Sequence, residues 1–359
     1  MENVNKTFKI HNFIIKSGQK QLGADIRESI AVVGAGSWGT ALACILAEKG
    51  FFVYLWVHGR QTYQTIKEKR ENVYYLPGIR IPDNVFPTNS LKKALNDKDC
   101  IFAVLPSHVF RKVIERAKPY LRPGCLIISA TKGIENKTLL TMSGIIKEVL
   151  GNFPYSYVVL SGPSFAKEVI KKLPTAITVA SNNIKMAKIA QKILSTQYLR
   201  VYTHHDVLGV ELGGALKNVM AIAAGVSDGL NLGHNARAAL ITRGLAEIMR
   251  LGEKMGADTF TFSGLSGLGD LILTGTSPLS RNYMVGYRLG KGEKLKEILS
   301  SMRMVAEGVK TTKAVYKLSL RYGVEMPVTK EVYAILYKDK QPYQALETLL
   351  SRRLKEEFS

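Results

Sequence analysis

The chain of 359 residues carries 50 Lys and Arg against 29 Asp and Glu, a formal net charge of +21. Hydrophobic residues make up 46% and mean hydropathy is +0.01, which fits a soluble globular protein with room for two domains. No apolar run reaches the ~18 residues of a membrane span, so none is expected. The positive field suits phosphorylated metabolites and dinucleotides. The lysines are scattered, with no basic stripe interleaved with aromatics, so no specific nucleic-acid partner is expected. Cys44, Cys100 and Cys125 have neither metal nor redox spacing and read as buried reduced thiols of a cytoplasmic protein. His204 and His205 are adjacent and expected to point different ways, so no metal site is expected.

In chain order, residues 1–27 read as a loose basic extension. They lack the apolar core and cleavage site of a signal peptide, with a transit peptide as the alternative. The apolar run Ser29-Ile-Ala-Val-Val33 then leads into Gly34-x-Gly36-x-x-Gly39, and a helical pattern covers 40–49. Strand, glycine turn and helix in that order form a dinucleotide-binding fingerprint. Gly34 permits the tight turn, Gly36 lets the backbone approach a pyrophosphate, and Gly39 lets helix and strand pack closely. Further strands are expected at 52–56, 100–105, 126–130, 157–160 and 175–180, with helices between them at 109–118 and 138–150. Near-continuous apolar strands alternating with helices predict a mostly parallel, doubly wound α/β sheet over residues 28–205. Beyond 203 the pattern turns helical, at 206–226, 236–255, 308–322 and 329–336, which predicts an all-helical domain over 206–359.

The second strand ends in Trp56-Val-His-Gly-Arg60, with no Asp or Glu to hold a ribose 2′-hydroxyl. His58 and Arg60 suit a 2′-phosphate instead, so the cofactor reading is NADP or NAD, leaning to NADP. Lys217 stands alone in an apolar helical stretch behind Gly213 and Gly214. It is either a desolvated lysine with a lowered pKa, suited to proton transfer, or a snorkelling lysine at a helix edge. Asp270 follows a glycine-rich turn and either pairs with Lys217 or caps the next helix. Ser280-Arg281-Asn282 suits a phosphate, with Ser280 as a helix N-cap the alternative. Lys132 and Ser161-Gly162-Pro-Ser164 close two strands at the sheet end where open α/β folds bind ligands.

Together these residues resemble the bacterial NAD(P)-dependent sn-glycerol-3-phosphate dehydrogenases. The resemblance rests on Gly34-Ala-Gly-Ser-Trp-Gly-Thr-Ala-Leu42, Leu105-Pro-Ser-His108, Ala130-Thr-Lys-Gly133, Ser161-Gly-Pro-Ser-Phe-Ala-Lys-Glu168, Gly213-Gly-Ala-Leu-Lys-Asn-Val219, Asn235-Ala-Arg237, Gly267-Leu-Gly-Asp270, Ser280-Arg-Asn282 and Val305-Ala-Glu-Gly308, in the family's order. Gly275 departs from it, standing where many members carry a cysteine. The resemblance implies interconversion of dihydroxyacetone phosphate and sn-glycerol 3-phosphate for phospholipid synthesis. It implies Lys217 as proton donor and acceptor, oriented by Asp270 and by Asn218. It implies substrate contacts at Lys132, Gly162, Ser164, Asp270, Ser280, Arg281 and Asn282, and cofactor contacts at Ser37, Trp38, His58, Lys132, Ala166, Arg281, Val305 and Glu307. The rival readings are another reductase of similar two-domain build, and a catalytically silent dinucleotide sensor or nucleic-acid binder on this fold. A homodimer follows only from the frequency of homo-oligomers.

Overall fold

A computed structural model describes residues 29–354, 356 and 357. The expected basic extension, 1–27, lies outside the described residues. Ten strands are present among them: β1 (Ser29–Val33), β2 (Phe52–Trp56), β3 (Glu71–Asn72), β4 (Leu76–Arg80), β5 (Val85–Thr88), β6 (Cys100–Ala103), β7 (Cys125–Ser129), β8 (Tyr155–Ser161), β9 (Thr175–Ala180) and β10 (Leu199–His204). Eight form one sheet in the order β10-β9-β8-β7-β6-β1-β2-β5, and β3 and β4 form a separate hairpin. All neighbours in the large sheet are parallel except β8 and β9, which run antiparallel.

The mostly parallel, doubly wound sheet is therefore the one expected from the continuous apolar runs. Every residue of β6 and β7 is buried, as a strand covered on both faces requires. On one face the helix Ser37–Glu48 contributes Leu42, Ile45 and Leu46. On the other, Phe110 and Ile114 pack with Ile145 and Ile146. The sequence hid β5 and β10. In β10, Leu199 and Val201 are buried while Arg200 and Tyr202 are exposed, the alternation of a half-solvated edge strand. β5 is another edge and contains Pro87, a residue that edges tolerate and central strands do not.

Past β10 the described chain is helical and built around Val207–Gly229. This helix has the length and hydropathy of a membrane span but lies almost wholly inside the protein, and a helix apolar all round is expected in such a core. Asp206 starts it. One carboxylate oxygen accepts from the Gly209 amide (2.8 Å), and the other accepts from the Asp258 amide (3.0 Å) and the Thr261 hydroxyl (2.7 Å). Glu211, one turn further, ties the helix to the sheet half, accepting from the Ser143 amide (2.8 Å), the Ser143 hydroxyl (2.6 Å) and the Tyr157 hydroxyl (2.6 Å). His204 and His205 do not point apart: their rings stack with centroids 4.8 Å apart.

The central helix meets Arg281–Gly290 backbone to backbone. A Cβ on Gly225 would lie 2.0 Å from the Tyr283 carbonyl oxygen, and one on Gly286 would lie 1.9 Å from that of Ile222. Gly229 and Gly290, four residues on in each helix, make the next contact, each Cβ position crowding the other helix's backbone. A side chain at these positions forces the helices apart. Gly275 is different, since a Cβ there would meet Ile241 Cδ1 at 3.5 Å and Ala224 Cβ at 3.7 Å, ordinary contact distances. The position therefore has room for a small side chain. Gly286→Ala is expected to lower unfolding stability by about 2–3 kcal/mol, whereas Gly275→Ala should raise it by about 0.5–1 kcal/mol by removing a helical glycine. Urea titration followed by circular dichroism compares them; equal effects would contradict this packing.

Candidate active site

The sheet order places the glycine fingerprint at the switch point between β1 and β6, where open α/β sheets form a crevice. Gly34 has φ +118°, and a Cβ there would lie 2.2 Å from the Val104 carbonyl oxygen. A Cβ on Gly39 would lie 1.9 Å from the Gly34 oxygen, so helix and turn touch through backbone alone. Gly36 faces open space. The helix that follows has no side-chain cap, which leaves its first N–H groups available to an anion. Open space beside an uncapped helix end fits a dinucleotide pyrophosphate.

Ser37 and Trp38 open the helix after this turn, and the helix Ala166–Val169 packs against that helix; Ser37, Trp38 and Ala166 are all partly exposed. The Ser37 hydroxyl already donates to the Tyr75 carbonyl (2.6 Å). His58 and Arg60 are exposed just past β2, with the His58 ring 5.6 Å from that of Trp56. Asn72 went unnoticed in the sequence. Buried in the β3–β4 hairpin, it donates to the Ala35 carbonyl (2.9 Å) and the Thr40 hydroxyl (2.8 Å), clamping the glycine turn from outside.

The chemistry-bearing side chains converge from three segments. Lys217, 7% exposed, projects from the central helix. Its ammonium donates to Asp270 Oδ1 (2.8 Å) and to the Thr274 hydroxyl (2.7 Å). Lys132, past the end of β7, donates to Asp270 Oδ2 (2.5 Å) and to the Gly162 carbonyl at the end of β8 (3.2 Å). One carboxylate therefore holds two ammonium groups, one on each oxygen. Lys217 is not a snorkelling lysine, because its nitrogen is buried and paired. Asp270 is not a cap, because Gly269 occupies that position and Asp270 is the first helical residue. A turn of π-helix, Leu265–Gly269, delivers it, an irregularity common at functional sites.

Gly213 and Gly214 make the approach possible. A Cβ on Gly213 would lie 2.7 Å from the Ser266 carbonyl, and one on Gly214 would lie 2.6 Å from Ser161 Oγ and 3.5 Å from Lys132 Cγ. Thr274 is another residue that sequence reading missed. Its signal was the spacing Asp270-x-x-x-Thr274, which puts both on one helix face. Its hydroxyl donates to Asp270 Oδ1 (3.2 Å) while accepting from Lys217.

Burial pushes the Lys217 pKa down to about 8; Asp270 opposes that shift, and Lys132 and Arg281 add to it. Burial alone would raise Asp270, but Lys132 and Lys217 outweigh it and hold the carboxyl below its usual range. At neutral pH the cluster is two cations around one anion, an excess positive charge suited to an anionic substrate.

Two expected roles change. Asn218 does not orient Lys217; its amide donates to the Gly214 carbonyl (3.3 Å), and its oxygen accepts from Asn282 (2.8 Å). Ser280 takes the capping alternative, its hydroxyl accepting from the Tyr283 amide (3.2 Å) at the head of Arg281–Gly290. Asn282 also accepts from the Gly308 amide (2.9 Å), which links this helix to Glu307–Tyr322. Arg281 is exposed, yet burial around its guanidinium lowers its pKa from the ordinary arginine value, an effect the Glu307 carboxylate opposes. Glu307 accepts from the Ser107 amide (3.2 Å) and hydroxyl (2.5 Å) past β6, joining the helical half to the sheet half. Val305 is 36% exposed beside it. Ser164 donates to the Gly162 carbonyl (3.0 Å), the oxygen that also receives Lys132.

Comparison with known proteins places this arrangement. Residues 29–187 match the family described as NAD-dependent glycerol-3-phosphate dehydrogenase N-terminus, and residues 206–347 match its C-terminus. A glycerol-3-phosphate dehydrogenase [NAD(P)+] of Syntrophobacter fumaroxidans is 53% identical over 330 residues, covering 92% of this chain and 97% of its own. One from Leptospira biflexa is 51% identical, covering 91% and 99%. The crystal structure of glycerol-3-phosphate dehydrogenase from Coxiella burnetii superposes with a TM-score of 0.88 at 42% identity, covering 91% of this chain and 100% of that one. A ketopantoate reductase from Ralstonia eutropha, 13% identical with a TM-score of 0.57, shares the fold alone. The two family matches together cover both halves of the molecule, and the chain belongs to the NAD-dependent glycerol-3-phosphate dehydrogenase family.

Proposed function

We propose that the chain is an NAD(P)-dependent oxidoreductase interconverting dihydroxyacetone phosphate and sn-glycerol 3-phosphate. The observation that carries this reading is the buried Lys217–Asp270–Lys132 array at the sheet's ligand-binding end, in a chain half identical to dehydrogenases so named. Supply of glycerol phosphate to phospholipid synthesis in the cytoplasm, and a homodimer, are the finer parts of the proposal.

The bound nicotinamide supplies or accepts the hydride. In reduction, Lys217 gives a proton to the oxygen of the developing alkoxide; in oxidation it takes one back. Asp270 and Thr274 hold the Lys217 ammonium in place, and Lys132 adds positive charge beside the reacting oxygen. Arg281 takes the substrate phosphate with Asn282, so that binding energy far from the reacting carbon keeps it in line. Gly162 and Ser164 border the same space. On the cofactor side, Gly34, Gly36 and Gly39 would receive the pyrophosphate, with Ser37, Trp38 and Ala166 alongside. Lys132, Arg281, Val305 and Glu307 would complete the cofactor's contacts. His58 and Arg60, with no carboxylate between them, favour the 2′-phosphate of NADP.

Lys217→Ala is expected to lower kcat by about 10²–10⁴-fold with cofactor affinity nearly unchanged. Parallel loss of cofactor affinity would assign the lysine to binding. Arg281→Ala should raise KM for the phosphorylated substrate by at least about tenfold, the loss of a charge-assisted contact; an unchanged KM contradicts its role. Reduction needs the protonated lysine, so kcat/KM for the ketone should fall as pH rises through about 8, while oxidation rises over the same window. Nicotinamide absorbance with NADH and NADPH in parallel tests the activity and the preference together. Faster turnover with NADPH supports the 2′-phosphate reading, and no oxidation of either by folded protein removes the proposed activity.

A further inference from the structure

The neighbouring helices Glu307–Tyr322 and Pro327–Tyr337 build a surface that the site does not use beyond Glu307. On the first, Lys310, Lys313, Lys317 and Arg321 recur every three or four residues, which sets them on one face over about 16 Å. All four are exposed, and none forms an ion pair among the described residues. On the second, Lys330, Tyr333 and Tyr337 share a face by the same spacing. The two faces join through their rings. Tyr316 and Tyr333 stack at 4.1 Å with planes 11° apart, Tyr337 lies 5.2 Å from Tyr333, and the Lys313 ammonium stands 5.9 Å over Tyr337.

The cations lie on one helix, but most of the aromatic rings beside them come from the next, and packing the two together joins them. Residues 307–339 hold six Lys and Arg and four Asp and Glu. Three of those carboxylates are already engaged: Glu307 with Ser107, Glu325 with Arg352 and Glu331 with Lys340. Beside the stripe, on the Lys313 side of the helix, Leu320 is 66% exposed.

A concentrated cationic face calls for a polyanionic partner. The tyrosine rings stack on one another, so their faces are not free platforms for unstacked bases, as single-stranded nucleic acid requires. Lysine stems beside an exposed leucine match a headgroup layer instead: ammonium groups reach phosphates while the apolar parts meet the acyl boundary. We propose that this face docks the protein reversibly on the surface of an anionic lipid bilayer, with Lys313, Lys317 and Arg321 as the main contacts.

Co-sedimentation of the full chain tests this with vesicles of phosphatidylglycerol and phosphatidylcholine against phosphatidylcholine alone, at low and raised salt. Binding should require the anionic lipid and weaken with salt. The variant Lys313→Gln/Lys317→Gln/Arg321→Gln should lose at least about tenfold in partitioning, since each cation near such a surface contributes about fivefold. Lys185→Gln/Lys188→Gln/Lys192→Gln removes the same charge from the helix Ile184–Leu194 and should stay within about twofold of the parent, being off the docking face. Leu320→Ser should weaken vesicle binding without any change of charge. Unchanged dihydroxyacetone phosphate reduction in each variant shows that the fold is intact. Failure to bind anionic vesicles overturns the proposal. So does equal loss in the two triple variants, which would reduce the effect to net charge. Stripe-dependent binding of a DNA oligonucleotide tighter than that of vesicles would give the face to nucleic acid and also overturn it.

Discussion

A single buried carboxylate between two ammonium groups organises this molecule. Asp270 is 1% exposed, and an isolated charge at that depth is costly. Lys217 on one oxygen and Lys132 on the other make it tenable, and each lysine is tenable for the same reason. The three come from different segments: the turn after β7, the central helix and the helix opened by the π turn. The cluster therefore forms only when both halves of the chain have folded against each other. Removing Asp270 would leave two like charges facing each other in a dry site, an uncompensated arrangement.

The surrounding structure makes that meeting possible. Gly213 and Gly214 thin the central helix where Ser266, Ser161 and Lys132 press against it. The glycine pairs further along let Arg281–Gly290 lie against the same helix, which brings Arg281 toward the site from its first turn. Polar bridges then fix the two halves in register: Glu211 to Ser143 and Tyr157, and Glu307 to Ser107. The asparagine chain Asn218–Asn282–Gly308 joins three helices around the same opening. Polar groups that satisfy one another at this depth specify one arrangement rather than many.

Much of this was legible in the residues. Apolar runs long enough for buried strands gave the central sheet, and Gly34, Gly36 and Gly39 marked the turn proposed to hold the cofactor. A lone lysine among Leu216, Val219 and Met220 marked the catalytic candidate, because burial there is hard to explain otherwise. Partners were less legible. Nothing local distinguished Asp270 as a lysine partner from Asp270 as a cap, since the π turn that rotates it into the cluster leaves no simple spacing. Asn218 sits beside Lys217 in sequence but about 100° away around the helix, which turns its amide toward Asn282. The edge strands β5 and β10 escaped because half of each faces water. The face around Lys313 and Tyr333 escaped because its cations recur at helical spacing on one helix while its aromatic neighbours Tyr333 and Tyr337 lie on the next.

The measurement closest to the centre of this account is the pH dependence of kcat/KM for dihydroxyacetone phosphate reduction in Asp270→Asn beside the parent. If the Asp270 charge sustains the Lys217 ammonium, its removal leaves burial and Lys132 unopposed. The alkaline limb should then move to lower pH by about one unit or more. An alkaline limb that stays where it is in the parent would contradict the account, because Lys217 would then owe its protonation to something other than Asp270.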